Sequence, residues 1–123
     1  MSDSTLKIYN PDTPLKVEDV GDGTFALSNA EAPAAAASLS NVSSSASSVT
    51  LKAANTSRRG LLIFNDADKT LNVKYGATAS SSSFTVQIAA GGYWEMPKPI
   101  YQGTLDGIWA TGPTGAARVT ELT

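Results

Sequence analysis

From residue 49 to the end, the chain alternates short apolar runs with turn-forming residues, and no stretch of it shows a helical period. Leu71, Val73 and Tyr75 alternate with polar residues, a period of two that places the apolar side chains on one face of a strand. Further runs of strand length occupy 49–53, 84–88, 93–96, 107–111 and 116–122. This spacing predicts an all-β fold, a small antiparallel β-sandwich or barrel of jelly-roll type.

One run differs from the others because it is apolar without alternation. Leu61, Leu62, Ile63 and Phe64 follow each other directly and end at Asn65. A continuous apolar run of this length is typical of a strand that is covered on both faces. We therefore expect a central strand whose side chains are all buried.

The first 48 residues have a different composition from the rest. Residues 29–48 consist mainly of Ala and Ser, so they bury too little apolar surface to offset the entropy lost on ordering. We interpret them as a linker, or as a segment that orders only on a partner. The predicted organisation is an extended N-terminal arm with a β-hairpin at 1–28, a linker at 29–48 and a β-sandwich domain at 49–123.

The arm contains a hairpin signal. Two apolar-alternating runs, 15–20 and 24–28, flank Gly21-Asp22-Gly23, whose residues tolerate the positive φ of a tight turn. A two-stranded hairpin is marginal in water and needs a surface to cover it. The arm therefore supplies the first candidate partner-binding residues, which are Leu6, Ile8, Tyr9, Leu15, Val17, Phe25 and Leu27.

The composition argues against several classes of function. The chain has no Cys and no His, which removes thiol nucleophiles, imidazole bases, disulfides and zinc sites built from those residues. We expect no enzymatic activity, no cofactor and no metal. With a net charge of −2, the chain offers no electrostatic basis for binding nucleic acid or an anionic membrane. The polar residues after Met1 predict no secretory signal.

The charged residues have ordinary interpretations. Arg58 and Arg59 are adjacent in a predicted loop, where such a pair is usually solvated. Asp66 and Asp68 suit a turn better than a calcium loop, which brings more ligands. Three isolated carboxylates show no spacing that would make them face each other, and we expect them at the surface. These carboxylates are Glu95, Asp106 and Glu121.

Four aromatic residues form the most informative group: Tyr93, Trp94, Tyr101 and Trp109. Exposed aromatic rings bind sugars or dominate protein interfaces, and buried ones fill cores. Tyr93 and Trp94 are adjacent, so on a regular strand they point to opposite faces, and one of them lies outward. Both are therefore candidate partner-binding residues. Trp109 stands among small residues, which favours insertion into the core.

Most of the chain outside the linker resembles a small β domain of tailed-bacteriophage structural proteins. The matching motifs are NTSRRGLLIFN at 55–65, VKYGATAS at 73–80, GGYWEMP at 91–97, GIW at 107–109 and RVTEL at 118–122. The segment LKVEDVGDGTFAL at 15–27 also resembles phage virion proteins of this length.

This resemblance implies a non-enzymatic virion protein, made in the bacterial cytoplasm, that decorates or is anchored to the capsid and stabilises it through the arm. Its expected partners are the major capsid protein or other virion proteins and further copies of itself, with a trimer as the guess. The resemblance also covers head fibres. Two alternatives stay open: a neck or tail accessory protein, and a glycan-binding or host-attachment module that uses the exposed aromatic rings.

Overall fold

The computed structural model describes residues 32–123, and the arm residues proposed above for partner binding lie outside that range. Eight strands occur within the described part of the chain, and it has no helix. Their bounds are β1 Ala37–Ser43, β2 Val49–Lys52, β3 Gly60–Ala67, β4 Leu71–Tyr75, β5 Val86–Ile88, β6 Tyr93–Glu95, β7 Leu105–Trp109 and β8 Gly115–Leu122.

The strands form two four-stranded sheets. The first has the order β1-β8-β3-β6 and the second has the order β2-β7-β4-β5. All pairs of neighbouring strands are antiparallel. The expected all-β sandwich is thereby confirmed, and the sheets do not close into a barrel.

Alternation of residues along the strands builds the core between the sheets. In β8, Ala117 and Val119 are fully buried, while the residues that alternate with them along the strand are partly exposed, as the period of two predicts. The strands of the second sheet contribute buried apolar residues to the same core. The buried apolar residues are Leu51, Leu61, Ile63, Leu71, Val73, Ile88, Met96, Leu105, Trp109, Ala117 and Val119.

The boundary predicted between linker and domain is wrong at β1. Residues 37–43 fall inside the stretch interpreted as a linker, yet they pair with β8 over seven residues, from Ala37 opposite Leu122 to Ser43 opposite Ala116. Only Val42 of this strand packs against the core. The strand is held by its backbone ladder, which an argument from side-chain burial cannot detect.

The expectation that residues 61–64 are covered on both faces is also wrong. β3 is central in its sheet, but only one face of that sheet meets the core. Leu61 and Ile63 are buried, whereas Leu62 is half-buried and Phe64 is 40% exposed. The apolar residues on the outer side therefore form part of the protein surface.

The connection between β4 and β5 lies over the outer side of the second sheet. Ala79 in this connection is buried, and its N–H donates to Oγ of Ser48 at 3.0 Å. The amide Nδ2 of Asn72 donates to the carbonyl oxygen of Ser80, and Nζ of Lys74 donates to Oγ of Ser83. The second sheet is thus partly covered on both sides, unlike the first.

Candidate functional site

The outward side of the first sheet carries an exposed aromatic pair. Phe64 on β3 stands directly opposite Tyr93 on β6, and the two side chains are 40% and 68% exposed. The strand register extends this pair into a row across the sheet, Asn41–Arg118–Phe64–Tyr93, and places a second row beside it, Leu39–Thr120–Leu62–Glu95. We call this surface the outer face, and it consists of Leu39, Asn41, Leu62, Phe64, Tyr93, Glu95, Arg118 and Thr120.

Exposed apolar side chains are concentrated on this outer face. The described part of the chain has four large hydrophobic residues that are clearly exposed, and three of them, Leu39, Phe64 and Tyr93, belong to the outer face. The fourth, Phe84, precedes β5 of the other sheet and is 38% exposed. Thr120 and Arg118 of β8 lie between Leu39 on one side and Leu62 and Phe64 on the other. Exposed apolar residues gathered on one sheet face mark an interaction surface more often than single scattered ones do.

Charged side chains lie among the apolar residues of the outer face, with Arg118 between Asn41 and Phe64. Nε and Nη2 of Arg118 donate to Oδ2 of Asp66 at 3.1 and 2.9 Å. Glu95 lies on the opposite flank, beside Leu62. An exposed ion pair such as Arg118–Asp66 contributes little to stability.

The other aromatic residues point inward. Trp94 is half-buried opposite Ile63 and lies 6.1 Å from the ring of Tyr75, measured between centroids. Tyr75 and Tyr101 stack with centroids 4.5 Å apart and an angle of 3° between the rings. Trp109 is 2% exposed, as expected for a core residue. Of the four aromatic residues, Tyr93 is therefore the one available on the outer face.

Arg58 and Glu121 form a buried ion pair, so the surface locations expected for both residues are wrong. Nε of Arg58 donates to Oε2 of Glu121 at 2.8 Å, and each residue is less than a tenth exposed. The remaining guanidinium hydrogens bind carbonyl oxygens of Ala53, Tyr101 and Gly103 at 2.7–2.9 Å. The pair fastens two loops to β8, which gives it a structural role.

The carboxylate of Glu121 is further stabilised in its charged form. Nδ2 of Asn55 donates to Oε1 at 3.1 Å, and Nζ of Lys52 lies 4.0 Å from the same oxygen. Burial alone would raise the pKa of Glu121, but the hydrogen bonds from Arg58 and Asn55 and the nearby positive charges outweigh it. The pKa therefore lies below its ordinary value of 4.5.

Asp106 is buried as well, although a surface position was expected. It is 7% exposed, and Oγ of Ser48 donates to its Oδ2 at 3.4 Å. Its Oδ1 has no hydrogen-bond partner among the described residues. Within residues 32–123 no group of His, Cys, Asp or Glu side chains is arranged to hold a metal ion.

Asp66 lies in β3 and Asp68 in the turn that follows it, and each accepts a hydrogen bond from a distant segment of the chain. Oδ1 of Asp68 accepts a hydrogen bond from the backbone N–H of Thr114 at 2.8 Å. This bond holds the pKa of Asp68 below its ordinary value. Asp66 accepts from Arg118. The prediction of a turn from residue 65 to 69 is wrong at Asp66, because β3 continues to Ala67. Both carboxylates bind segments that are distant along the chain instead of their own turn backbone.

A surface groove lies on the outer side of the second sheet. Thr70, Asn72, Gln87 and Ile108 line a shallow groove of about 280 Å³. Its lining offers hydroxyl and amide groups and no charged side chain. It therefore has hydrogen-bonding capacity without a pair of acid and base groups.

None of the known protein families, curated proteins or solved structures matched this chain. In the described range, no helix is long and apolar enough to cross a membrane. The candidate site therefore rests on the geometry of the outer face.

Proposed function

We propose that this chain is a non-enzymatic structural protein of a bacteriophage virion, and that the outer face is one of its contact surfaces. The observation that carries the proposal is the placement of Leu39, Phe64 and Tyr93 together on one exposed sheet face. Covering the part of each side chain that is still exposed, 40–68%, would contribute roughly 0.5–2 kcal/mol for each one. The resemblance of residues 55–122 to phage virion domains supplies the class of neighbour.

The proposed mechanism is mechanical attachment to the capsid or to another virion protein. The N-terminal arm, with Leu15, Val17, Phe25 and Leu27, provides a second attachment segment on sequence grounds. Two contacts on one chain raise the effective concentration of the second once the first has formed. Repetition over many equivalent sites makes a modest affinity sufficient.

The roles of the ionisable side chains support a non-enzymatic role. Glu121 is bound by Arg58, Asp66 by Arg118 and Asp68 by the backbone of Thr114. A general acid or base needs a free group at the reacting centre. Each of these carboxylates is occupied by a hydrogen bond or ion pair within the fold.

A second candidate function, glycan binding in host attachment, is favoured by one observation. Tyr93 presents most of its ring to solvent beside Phe64, and such rings stack on sugars. The two tryptophans contribute less to this candidate, because Trp109 is buried and Trp94 is half-buried.

The test begins with virions of the phage or prophage that carries the gene. Mass spectrometry of purified particles should detect the chain, and hundreds of copies per particle would place it on the capsid. A dozen or fewer copies would favour a neck or tail position. Absence from purified particles would overturn the proposal.

Deletion of residues 1–28 separates the two attachment segments. The truncated gene should give a folded protein whose copy number in virions falls, because the arm no longer contributes. Wild-type copy number in this variant would show that the arm is not required. A saturable change of intrinsic fluorescence with soluble glycans, lost in Tyr93→Ser, would instead support host attachment.

A further inference from the structure

Within residues 32–123 the two sheets have four edge strands, and three of them are protected against pairing with another chain. β5 and β6 are only three residues long, and Pro97 follows β6 closely. β2 carries Lys52 and an irregular register between Thr50 and Lys52. Short length, an edge lysine, a bulge and a nearby proline are the usual means of blocking edge-to-edge association.

β1 has none of these protections. It is seven residues long, with the sequence Ala-Ser-Leu-Ser-Asn-Val-Ser, and it contains no charge and no proline. Its register with β8 runs without a break. Among the described residues, β8 is the only strand that pairs with it. A long, uncharged edge with an unbroken register is a template for a further strand.

The backbone hydrogen bonds show which groups of β1 face the open edge. Ala36 and Thr123 exchange two hydrogen bonds, of 3.2 and 2.9 Å, and the N–H of Ser44 donates to Gly115. Because antiparallel pairs alternate, the even-numbered residues of β1 direct their N–H and C=O groups towards β8. The groups that point away from β8 are those of Ala37, Leu39, Asn41 and Ser43.

We propose that β1 pairs with β1 of a second copy of this chain, antiparallel and about a two-fold axis at Ser40. In this register Leu39 stands opposite Asn41 of the second copy, and Ala37 stands opposite its Ser43. All four outward-directed residues then exchange both of their backbone hydrogen bonds. The two first sheets become one sheet of eight strands.

The side chains of β1 suit this self-pairing. A two-fold axis brings identical residues together, so a charged edge would repel itself, and β1 has no charge. Ser40 would meet its own copy across the axis, where its small side chain fits the close spacing of a non-hydrogen-bonded pair. Two cations adjoin β1. Nζ of Lys52 lies 3.4 Å from Oγ of Ser40, and Arg118 stands opposite Asn41 and is paired with Asp66. Each Lys52 also lies beside its own Glu121, which offsets its charge.

The pairing enlarges the outer face. A two-fold axis perpendicular to the sheet keeps the outward side chains of both copies on the same side. Leu39, at 65% exposure, stands at the junction. The dimer therefore presents two outer faces side by side. This self-association does not depend on attachment to a virion, so either proposal can fail without the other.

The test is the mass of the full chain in solution, measured by sedimentation velocity over a range of concentrations. We expect a reversible dimer for the wild type and for Asn41→Ala, which keeps the backbone N–H. Asn41→Pro removes an N–H that points away from β8, so the fold should persist while dimerisation weakens at least tenfold. Circular dichroism and thermal unfolding verify that this variant is folded.

Leu39→Lys provides a second variant should the proline perturb folding. It places a charge on the edge without altering the backbone, and it should also give a monomer. A wild type that is monomeric at every concentration, or trimeric, would overturn the proposal. Retention of the dimer by both folded variants would overturn it as well.

Discussion

Inside the sandwich, the indole Nε1–H of Trp109 donates a hydrogen bond to Oδ1 of Asn65 at 2.9 Å. Trp109 belongs to the second sheet and Asn65 to the first, so this bond joins the two sheets through the core. Nδ2 of Asn65 also donates to the carbonyl oxygens of Lys69, Ile88 and Ala89. One fully buried amide therefore fixes strands of both sheets and the turn that follows β3.

This bond predicts the effect of Trp109→Phe. The substitution leaves Oδ1 of Asn65 buried without a donor and removes part of a packed ring, so it should lower the free energy of unfolding by about 2–4 kcal/mol. Urea denaturation measures the change. Tyr93→Phe is the matched control, since Tyr93 is largely exposed and its loss of a hydroxyl should cost less than about 0.5 kcal/mol. Equal effects of the two substitutions would contradict the assignment.

The adjacent pair Arg58 and Arg59 provides a comparison within one loop. Arg58→Met leaves the buried carboxylate of Glu121 and three carbonyl oxygens without their donor, which should cost about 3–5 kcal/mol. Arg59 is exposed, and Arg59→Met should change the stability by less than about 0.5 kcal/mol. Thermal or urea unfolding of both variants tests this difference, and a similar loss in both would contradict the structural role of Arg58.

The lowered pKa of Glu121 predicts an acid dependence of stability. Its ordinary pKa is 4.5, and in the folded protein the pKa lies below that value. The contribution is therefore fully present above pH 4.5 and is lost as the pH falls through the folded-state pKa, because the unfolded chain takes up the proton first. Unfolding free energies measured between pH 6 and pH 3 should fall less steeply in Glu121→Gln than in the wild type. Parallel curves would show that Glu121 does not contribute to the slope.

The one-sided burial of β3 predicts opposite outcomes for neighbouring substitutions. Ile63→Asp places a charge in the core and should prevent folding. Phe64→Asp places the same charge on the outer face, where water can solvate it, and the protein should remain folded with a loss of about 1 kcal/mol or less. Soluble yield and circular dichroism of the two variants distinguish these results. A failure of Phe64→Asp to fold would indicate that β3 is covered on both sides.

The sequence was sufficient to predict the all-β class, the inward side of β4 and the core position of Trp109. Leu71 and Val73 are buried as their alternation predicts, and Trp109 lies in the core. These predictions succeed because a period of two is a local property of the chain.

The positions of β1, Phe64 and Arg58 could not be predicted in the same way. β1 is ordered by its ladder with β8, whose residues lie more than seventy positions away along the chain. Phe64 is exposed because nothing in the described structure covers the outer side of the first sheet. Arg58 is buried because Glu121 and three loop carbonyls converge on it. The pairing of β1, the exposure of Phe64 and the burial of Arg58 each depend on which distant segments of the chain meet. The spacing of residues along one sequence does not show which segments these are.

The central claim is that the outer face attaches this protein to its neighbours in a virion, and one pair of phages tests it most directly. Phe64→Ser and Phe84→Ser remove the same side chain at similar exposure, 40% and 38%, but only Phe64 belongs to the outer face. Quantitative mass spectrometry of purified virions should show at least a tenfold loss of the Phe64→Ser protein, and wild-type copy number for Phe84→Ser. Equal copy numbers in the two variants, with both proteins folded, would contradict the claim.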